Sequence, residues 1–309
     1  MREYQETLRR LAEQARREGC GAEEQVSLAP FTSFRVGGPC GCLFTAPGPE
    51  PARRILRLCS EEGIPLLLLG NGSNLLVSDR GIPGAVLRLS GGDIRFHHGR
   101  VTCPAGVPLK TLCRAARDHG LSGLEFAYGI PGTVGGALFM NAGAYGGEMS
   151  EVVTGAVVAD SVGNRRELTA AELELRYRHS RFMEEGLLVL EAELQLTPDD
   201  PQAIHGRMEE FMRRRREKQP LEYPSAGSFF KRPPGHYAGA LIESCGLKGF
   251  AVGGAQVSEK HAGFIINRGG ATSADVKELA RQVMRRVLES TGVRLEPEVR
   301  FVGEDPPSV

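Results

Sequence analysis

A glycine-rich stretch near the middle of the chain constrains the fold more than any other feature. The segment AYGIPGTVGGALFMNAGAYGGE, residues 127–148, contains seven glycines and no lysine or arginine. Glycine lowers stability where its conformational freedom is not needed. A flexible linker would be polar, whereas this segment also carries Ile130, Val134, Leu138 and Phe139. The sequence therefore predicts an ordered backbone that lies close against a large, rigid surface.

Length and charge narrow the class of protein. With 309 residues the chain exceeds the size of a single hydrophobic core, so two or three domains are expected. The 38 basic residues balance the 38 acidic ones, which gives no indication of nucleic acid or an anionic membrane as partner. The basic run Arg213–Arg216 is interpreted as a solvated helix face beside glutamates. The charged N-terminus has no secretory apolar region and no apolar run reaches membrane-spanning length, so we expect a cytoplasmic location.

The cysteines predict neither a disulfide framework nor a metal site. There are seven, an odd number, and they are scattered along the chain. Cys40 and Cys42 form the only close pair, and no second pair follows at zinc-site spacing. We expect reduced thiols and no bound metal.

Hydrophobic patterning predicts a mixture of helices and strands. Strands and helices mingle without a regular βαβ period, which favours an α+β fold. The clearest boundary is Pro198–Pro201, and a softer one lies near Gly63–Ile64. Helices are expected at 2–18, 50–62, 107–119, 201–218, 237–245 and 273–290, and strands at 64–70, 74–79, 84–90, in a hairpin closed at Gly99, within 151–163 and 186–198, and near 250–253, 262–267 and 298–302.

The first candidate ligand loop follows the apolar run 64–70. Gly70 and Gly72 fit the start of a dinucleotide-binding fingerprint, but Leu75 stands where the third glycine belongs and a strand follows. An anion here would be held by loop amides, with the Ser73 hydroxyl and the Asn74 carboxamide as further donors. A simple β-turn explains the same residues equally well.

The second candidate is the glycine-rich stretch itself. It combines a tight turn and a short helix start at 125–136 with a second row of small residues at 141–144. Two loops poor in side chains can present backbone donors to a pyrophosphate and leave room for a flat ring system. A packing crossover between strands is the alternative interpretation.

A set of motifs, taken together, identifies a family. The sequence resembles the UDP-N-acetylenolpyruvoylglucosamine reductases over about residues 30–302, with the motifs in the same order. These motifs are TSFRVGGP (32–39), GNGSN (70–74), GIPG (129–132), NAGAYG (141–146), YRHSRF (177–182), GSFFK (227–231) and PEVR (297–300).

The resemblance implies a fold, a domain plan and an enzyme. The fold would be α+β, with an FAD-binding domain of the vanillyl-alcohol-oxidase (PCMH) type and a C-terminal α+β substrate-binding domain. Residues 1–63 would form the N-terminal helical part and first FAD-binding segment, 34–199 the FAD-binding domain, and 200–309 the substrate-binding domain. The reaction would be the NADPH-dependent reduction of UDP-N-acetylglucosamine enolpyruvate to UDP-N-acetylmuramate, in peptidoglycan precursor synthesis, by an enzyme that acts as a monomer.

The resemblance also implies that the glycines lie against FAD. The FAD would be bound without a covalent link, since neither candidate loop contains histidine or cysteine. NADPH would be the co-substrate. The implied cofactor-binding residues are Arg35, Gly70, Asn71, Gly72, Ser73, Asn74, Gly129, Ile130, Pro131, Gly132, Thr133, Gly135, Gly136, Asn141, Ala142 and Gly143.

Three residues match the catalytic positions of the family. Arg178 would bind the substrate carboxylate, for which a guanidinium offers two parallel hydrogen bonds. Glu298 would act beside it, best in a protonated form, which requires a pKa raised by burial. Ser228 would donate the proton, with Ser225 as the neighbouring alternative. From local sequence alone Arg178 is an ordinary surface arginine and Ser228 a turn serine.

The substrate's nucleotide part has its own candidates. Lys218 and Lys231 would meet diphosphate oxygens, and His261 falls at a polar substrate contact of the family. Tyr237 is interpreted as packing at a helix start, against Phe230, with a contact to the substrate as the alternative. The segment 180–186 is short and lacks the tyrosine-bearing insertion with which one branch of the family covers its substrate, so the chain resembles the shorter branch.

Two other functions compete with this interpretation. An alcohol or lactone oxidase of the same FAD fold would keep the glycine loops, but it would have no use for GSFFKRP and EPEVRF. A non-catalytic binding protein would also keep the glycines without needing Arg178, Ser228 and Glu298 together. Flavin colour that NADPH bleaches and the enolpyruvyl substrate restores distinguishes the reductase from both.

Overall fold

The computed structural model describes residues 4–303, and these residues form two compact units. Unit 1 contains residues up to 25, 41–71 and 83–215, and unit 2 contains 26–40, 72–82 and 216 onwards. The chain therefore passes between the units several times, and the GNGSN motif is divided after Asn71. Both units mix helices and strands, which confirms the α+β class.

The helices agree closely with the predicted ranges. The N-terminal helix is described from Gln5, and the expected start at residue 2 lies outside the described residues. The short helix start expected within 125–136 is the beginning of α4, whereas α5 was missed because five residues are too few for a helical period to be recognised. The helices are α1 (Gln5–Arg17), α2 (Pro49–Glu61), α3 (Leu109–Asp118), α4 (Val134–Phe139), α5 (Arg181–Glu185), α6 (Pro201–Lys218), α7 (Ala238–Ser244) and α8 (Ser273–Thr291).

The strands include several that sequence patterning did not indicate. The clearest is β2, which is buried along nearly its whole length and so lacks the alternation that marks a half-exposed strand. The strands are β1 (Gly21–Glu24), β2 (Cys40–Ala46), β3 (Leu66–Leu68), β4 (Leu75–Val77), β5 (Ile82–Leu89), β6 (Arg95–His97), β7 (Arg100–Pro104), β8 (Leu121–Ser122), β9 (Gly143–Ala144), β10 (Gly147–Glu148), β11 (Val153–Ala159), β12 (Arg165–Thr169), β13 (Leu188–Gln195), β14 (Thr197–Pro198), β15 (Ser225–Ser228), β16 (Ala251–Val252), β17 (Ala255–Val257), β18 (Phe264–Asn267) and β19 (Arg300–Val302).

Unit 1 is built on two larger sheets, and it also contains the two-stranded pairs β9–β10 and β8–β14. A four-stranded sheet has the order β1-β2-β5-β3, and a five-stranded antiparallel sheet has the order β12-β11-β13-β7-β6. One core joins residues of both sheets to the apolar faces of α1 and α2. A second core packs α3 and α4 against the five-stranded sheet. The glycine-rich stretch is thus anchored, through α4, to the larger sheet.

Unit 2 has a smaller antiparallel sheet of order β15-β18-β17-β16. The buried face of α8 supplies much of its core, with Val276, Leu279, Val283 and Val287 each 0% exposed. Thr272 and Asp275 form a capping box at the start of α8, which satisfies backbone donors of its first turn. The parallel pair β4 and β19 belongs to the same unit.

Candidate active site

Two glycine-rich loops of unit 1 contact each other at the start of α4. The side-chain amide of Asn71 donates to the carbonyl of Pro131 (3.3 Å). A Cβ on Gly70 would lie 2.7 Å from Oγ1 of Thr133, so a larger residue there would push the loops apart. Thr133 in turn caps α4 by accepting a hydrogen bond from the N–H of Gly136 (3.2 Å). The structure therefore brings together two of the predicted cofactor loops.

Protein packing accounts for several glycines that the resemblance placed against FAD. A Cβ on Gly135 would lie 2.8 Å from Cβ of Ala105, and one on Gly143 would lie 2.9 Å from the carbonyl oxygen of Gly147. Gly136 differs from them, because it is exposed and a Cβ there would have only Oγ1 of Thr133 nearby, at 3.4 Å. The packing interpretation thus explains Gly70, Gly135 and Gly143, whereas Gly136 is the position open to a ligand.

The same loops offer backbone donors for an anion. Within residues 4–303 no hydrogen-bond partner is found for the N–H groups of Gly70, Asn71 and Gly132. The carbonyl of Gly132 accepts from the N–H of Leu109 (3.0 Å), which fixes the direction of this loop. Main-chain N–H groups of neighbouring loops that have no protein partner can donate to an anion. This donor set fits the pyrophosphate of FAD.

Arg215 lies against the glycine-rich stretch, which the sequence did not indicate. It belongs to the basic run that was interpreted as a solvated face, and Arg213 and Arg214 do fit that interpretation, since both pair with Glu210 (2.8 and 2.7 Å). Arg215 instead approaches the glycine-rich stretch, so that a Cβ on Gly129 would lie 2.9 Å from its Cδ. Burial lowers the pKa of Arg215, and no carboxylate partner is found for it among the described residues. A run of four arginines gives no signal of which member turns inward.

Contacts within unit 1 surround most of the remaining predicted residues of the glycine-rich stretch. Ile130 packs at the edge of the unit 1 core, and Pro131 is exposed. Ala142 is buried and its N–H donates to the carbonyl of Ala137 (2.8 Å). Asn141 is 2% exposed and adopts a positive φ of 40°, which asparagine tolerates better than most residues.

Arg178 lies in unit 1 at the tip of a tight turn. The N–H of His179 donates to the carbonyl of Arg176 (3.0 Å), and the N–H of Arg176 donates back to the carbonyl of His179 (3.2 Å). Arg178 has a φ of 54°, and its guanidinium lies 5.4 Å from the ring centre of Tyr177. The half-buried guanidinium is thereby presented by a defined backbone conformation.

A group of possible metal ligands lies next to this turn. The ligand atoms of Glu174, His179 and Glu184 are within 4.8 Å of one another, which the expectation of no metal did not foresee. Glu174 pairs with Arg176 (3.1 Å), and Nε2 of His179 lies 3.6 Å from the Glu184 carboxylate. Glu174 thus has a basic partner, whereas Nε2 of His179 is buried and makes no hydrogen bond within the described residues.

Ser228 and Glu298 lie on neighbouring segments of unit 2. Ser228 is the last residue of β15, and a register shift between Ser225 and Ser228 interrupts its pairing with β18. Gly227 within this bulge has a φ of 78°, which favours glycine. The N–H of Glu298 donates to the carbonyl of Phe229 (2.8 Å), the residue that follows Ser228, so this backbone hydrogen bond joins the two segments.

The bulge distinguishes Ser228 from Ser225. Ser228 is exposed, while the carbonyl of Ser225 accepts a hydrogen bond from the Ser33 hydroxyl (2.6 Å). Asn74 contacts the segment 298–300 through two hydrogen bonds. Its side-chain amide donates to the carbonyl of Glu298 (3.2 Å), and its main-chain carbonyl accepts from the N–H of Arg300 (3.0 Å). Asn74 thus supports the segment that carries Glu298.

The other predicted residues of unit 2 are more dispersed. Arg35 is exposed with a φ of 54°, and Ser73 is half-buried. Gly72 is buried with a φ of 57°, and a Cβ there would lie 2.4 Å from the carbonyl oxygen of Phe31. Lys218 is exposed at the end of α6.

The predicted substrate residues include a paired lysine and a neutral histidine. Lys231 pairs with Glu296 (3.2 Å), and both side chains are largely exposed. His261 accepts a hydrogen bond at Nδ1 from the N–H of Gly263 (3.1 Å), and burial lowers the pKa of this imidazole. A neutral His261 with an occupied Nδ1 carries its proton on Nε2, where it can donate.

Tyr237 was placed correctly at a helix start, but it is not packed away as expected. Its ring is 64% exposed, and the guanidinium of Arg232 lies 4.1 Å from the ring centre. Tyr237 is the N-cap residue of α7, and a cation–π contact with Arg232 is compatible with the exposure of the ring.

Comparison with known proteins assigns the two parts of the chain. Residues 43–169 match the family model of an FAD binding domain, and residues 219–302 match that of the UDP-N-acetylenolpyruvoylglucosamine reductase C-terminal domain. The fold and these two matches together define an FAD-dependent oxidoreductase.

Relatives of the whole chain carry one name. The chain is 46% identical to UDP-N-acetylenolpyruvoylglucosamine reductase of Clostridium perfringens strain 13 over 99% of its own length and 100% of that protein. It is 50% identical to the enzyme of that name from Clostridium botulinum strain Hall, over 90% of this chain and 91% of that one. The crystal structure of the Thermus caldophilus reductase matches with a TM-score of 0.79 and 38% identity, over 92% of this chain and 99% of that one. The chain belongs to the UDP-N-acetylenolpyruvoylglucosamine reductase family.

This membership confirms the predicted function, reduction of UDP-N-acetylenolpyruvoylglucosamine in peptidoglycan synthesis. FAD as cofactor is confirmed by the match to the FAD binding domain, and NADPH as co-substrate is consistent with the family. The oxidase alternative loses its basis, since the matched C-terminal domain covers both GSFFKRP and EPEVRF. No helix within residues 4–303 is long and apolar enough to cross a membrane.

Proposed function

We propose that Arg178, Ser228 and Glu298 carry the reduction of the enolpyruvyl group in this chain. The observation that supports this most directly is the bulge in β15, which leaves Ser228 exposed beside the backbone of Glu298. A bulge is a common device for re-aiming a side chain next to an active site. A turn serine without function would not need an interrupted strand to present it.

Each of the three residues has a distinct task. Arg178 binds the substrate carboxylate, where negative charge increases during the reaction, with its permanently charged guanidinium. Ser228 donates a proton to the carbon next to the carboxylate. Glu298 assists in stabilising the charged carboxylate, which a protonated carboxyl does by donating a hydrogen bond. FAD, when bound, supplies the hydride that the substrate receives and that NADPH replenishes.

The glycine loops of unit 1 bind the cofactor in this proposal. The N–H groups of Gly70, Asn71 and Gly132 donate to its pyrophosphate, and Arg215 supplies positive charge without a competing carboxylate. The exposed face of Gly136 gives room for the ligand to approach the start of α4. The absence of histidine and cysteine from both loops supports a non-covalent complex.

Lys218, Lys231 and His261 bind the nucleotide-sugar part of the substrate. The exposed pair of Lys231 with Glu296 stabilises the fold by no more than about 1 kcal/mol, so the ammonium group exchanges readily to a diphosphate oxygen. His261 donates from Nε2 in its neutral form. We propose that the enzyme acts as a monomer in the cytoplasm, where nucleotide sugars and NADPH are available, and that it uses no nucleic acid or membrane partner.

Stopped-flow absorbance of the flavin tests the role of Ser228, because the two half-reactions are measured separately. Ser228→Ala should still be reduced by NADPH at close to the parental rate. Reoxidation by the enolpyruvyl substrate should fall by about 10²–10⁴-fold, the usual contribution of a positioned acid. Ser228→Cys should recover part of this loss, since a thiol is a stronger acid of similar size.

Ser225→Ala is the matched control, three residues away on the same strand, and should reoxidise like the parent. Parental reoxidation in Ser228→Ala, or a defect confined to reduction by NADPH, would show that Ser228 is not the proton donor.

A further inference from the structure

The turn that carries Arg178 is fastened at both of its ends. Immediately after it, the hydroxyl of Ser180 donates to the carbonyl of Phe139 (2.7 Å). At its first residue, the side-chain amide of Asn141 donates to the carbonyl of Arg176 (3.4 Å). Both acceptors and donors lie in unit 1, and both tethers lead to the C-terminal end of α4.

Neither tether is explained by the local structure of its own segment. Ser180 immediately precedes α5, where a serine hydroxyl ordinarily accepts a hydrogen bond from the first turn of the helix. No such capping bond is made, and the hydroxyl reaches across 41 residues to Phe139 instead. Asn141 accepts from the N–H of Ser150 through Oδ1 (2.9 Å), which leaves its amide group directed to Arg176.

Burial makes these contacts costly to lose. Ser180 is 0% exposed and Asn141 is 2% exposed, so neither side chain can exchange its partner for bulk water. An unsatisfied buried polar group costs about 1–3 kcal/mol. The turn is therefore held in one place by two directional bonds, whereas Arg178 at its tip is only half-buried.

We propose that Ser180 and Asn141 are positioning residues for Arg178. They fasten the 176–179 turn to the end of α4, the helix whose first turn carries Thr133 and Gly136 of the cofactor loop. One short helix thereby sets the place of the cofactor loop and of the carboxylate-binding guanidinium. The inference rests on the proposed role of Arg178, and the experiment separates the two.

The experiment is a double-mutant cycle with Ser180→Ala and Arg178→Ala, measured on the two half-reactions of the full-length, FAD-loaded enzyme. Ser180→Ala should leave reduction by NADPH unchanged and slow reoxidation by the enolpyruvyl substrate by about 10–100-fold, because a displacement near 1 Å has effects of this size. In the Arg178→Ala background the same substitution should change reoxidation by less than about twofold, since it acts through Arg178.

Ser122→Ala is the control, because it removes a half-buried hydroxyl of the same unit that donates to Glu125 (2.9 Å) far along the chain from the turn. It should reoxidise like the parent. Equal losses from Ser180→Ala in both backgrounds would overturn the positioning role while leaving the role of Arg178 intact. Parental reoxidation in Arg178→Ala would overturn the proposed role of Arg178 and the positioning role with it.

Asn141→Asp provides a second test if Ser180→Ala fails to fold. Aspartate keeps the acceptor for the N–H of Ser150 and tolerates a positive φ, but when ionised it has no proton to donate to Arg176. The same selective loss of reoxidation is expected at pH 8. Parental reoxidation in this variant would also overturn the proposal.

Discussion

At the scale of single residues, packing requires glycine at some positions of the two loops and not at others. Gly135 is required by its contact with Ala105, and Gly70 by its contact with Thr133. These contacts could not be predicted, because they join segments distant in sequence. Gly136 has no such neighbour, and it is the residue whose replacement tests ligand binding without disturbing packing.

Gly136→Leu should therefore weaken FAD binding while leaving the fold intact. Leucine is a good helix former and position 136 lies in the first turn of α4 without a positive φ, so the free energy of unfolding of the FAD-free protein should change by less than about 1 kcal/mol. Its side chain would occupy the space beside Gly136 that we propose for the approach of FAD. Fluorescence titration with FAD should show an affinity lowered by at least tenfold.

Gly206→Leu in α6 is the control for this substitution. A Cβ on Gly206 meets nothing within 4 Å, and the residue lies in a helix of the same chain, so the FAD affinity of this variant should equal that of the parent. Gly135→Leu should instead unfold the loop, because the Cβ already approaches Ala105 too closely. Parental affinity in Gly136→Leu would place the cofactor elsewhere.

At the scale of elements, the sequence predicted long helices and apolar strands well, and short or irregular elements poorly. The helix 201–218 agrees with α6 at both ends, because it begins at a proline and continues for 18 residues. The turn 176–179 and its tethers had no sequence signal, since they depend on hydrogen bonds between Phe139 and Ser180 and between Asn141 and Arg176. The motif resemblance located Arg178 without showing what holds it.

The clearest prediction at this scale concerns Arg215, on the side of α6 that faces the glycine-rich stretch. Arg215→Gln should weaken FAD retention by about tenfold or more at low salt, because it removes a charge that has no carboxylate partner among the described residues. Arg213→Gln on the outer face should have little effect, since it loses only an exposed pair with Glu210. Equilibrium dialysis at two salt concentrations measures both. Equal FAD affinities of the two variants would show that Arg215 contributes no more to FAD binding than Arg213 does.

At the scale of the whole molecule, the two units divide the candidate residues between them. Arg178 and the loops around α4 belong to unit 1, whereas Ser228, Glu298 and His261 belong to unit 2. The sequence indicated a boundary near residue 200, and the matched C-terminal domain begins at 219. The sequence did not predict that residues 26–40 and 72–82 belong to the same unit as the C-terminal residues. These segments join that unit by packing into its hydrophobic core, and such packing does not alter the local amino-acid composition.

FAD should leave the intact protein without breaking a covalent bond, and its removal should lower thermal stability. Neither glycine loop contains histidine or cysteine, so acid precipitation should leave a colourless pellet and a yellow supernatant. A ligand that binds only the folded state stabilises it by about 2.7 kcal/mol at a hundredfold excess over Kd. Calorimetry should therefore show a lower melting temperature for the FAD-free protein than for the FAD-loaded protein, and this temperature should rise as FAD is added. Riboflavin lacks the pyrophosphate, so at the same concentration it should leave the melting temperature unchanged. A yellow pellet would contradict non-covalent binding, and equal stabilisation by riboflavin would contradict a pyrophosphate held by the loop amides of Gly70, Asn71 and Gly132.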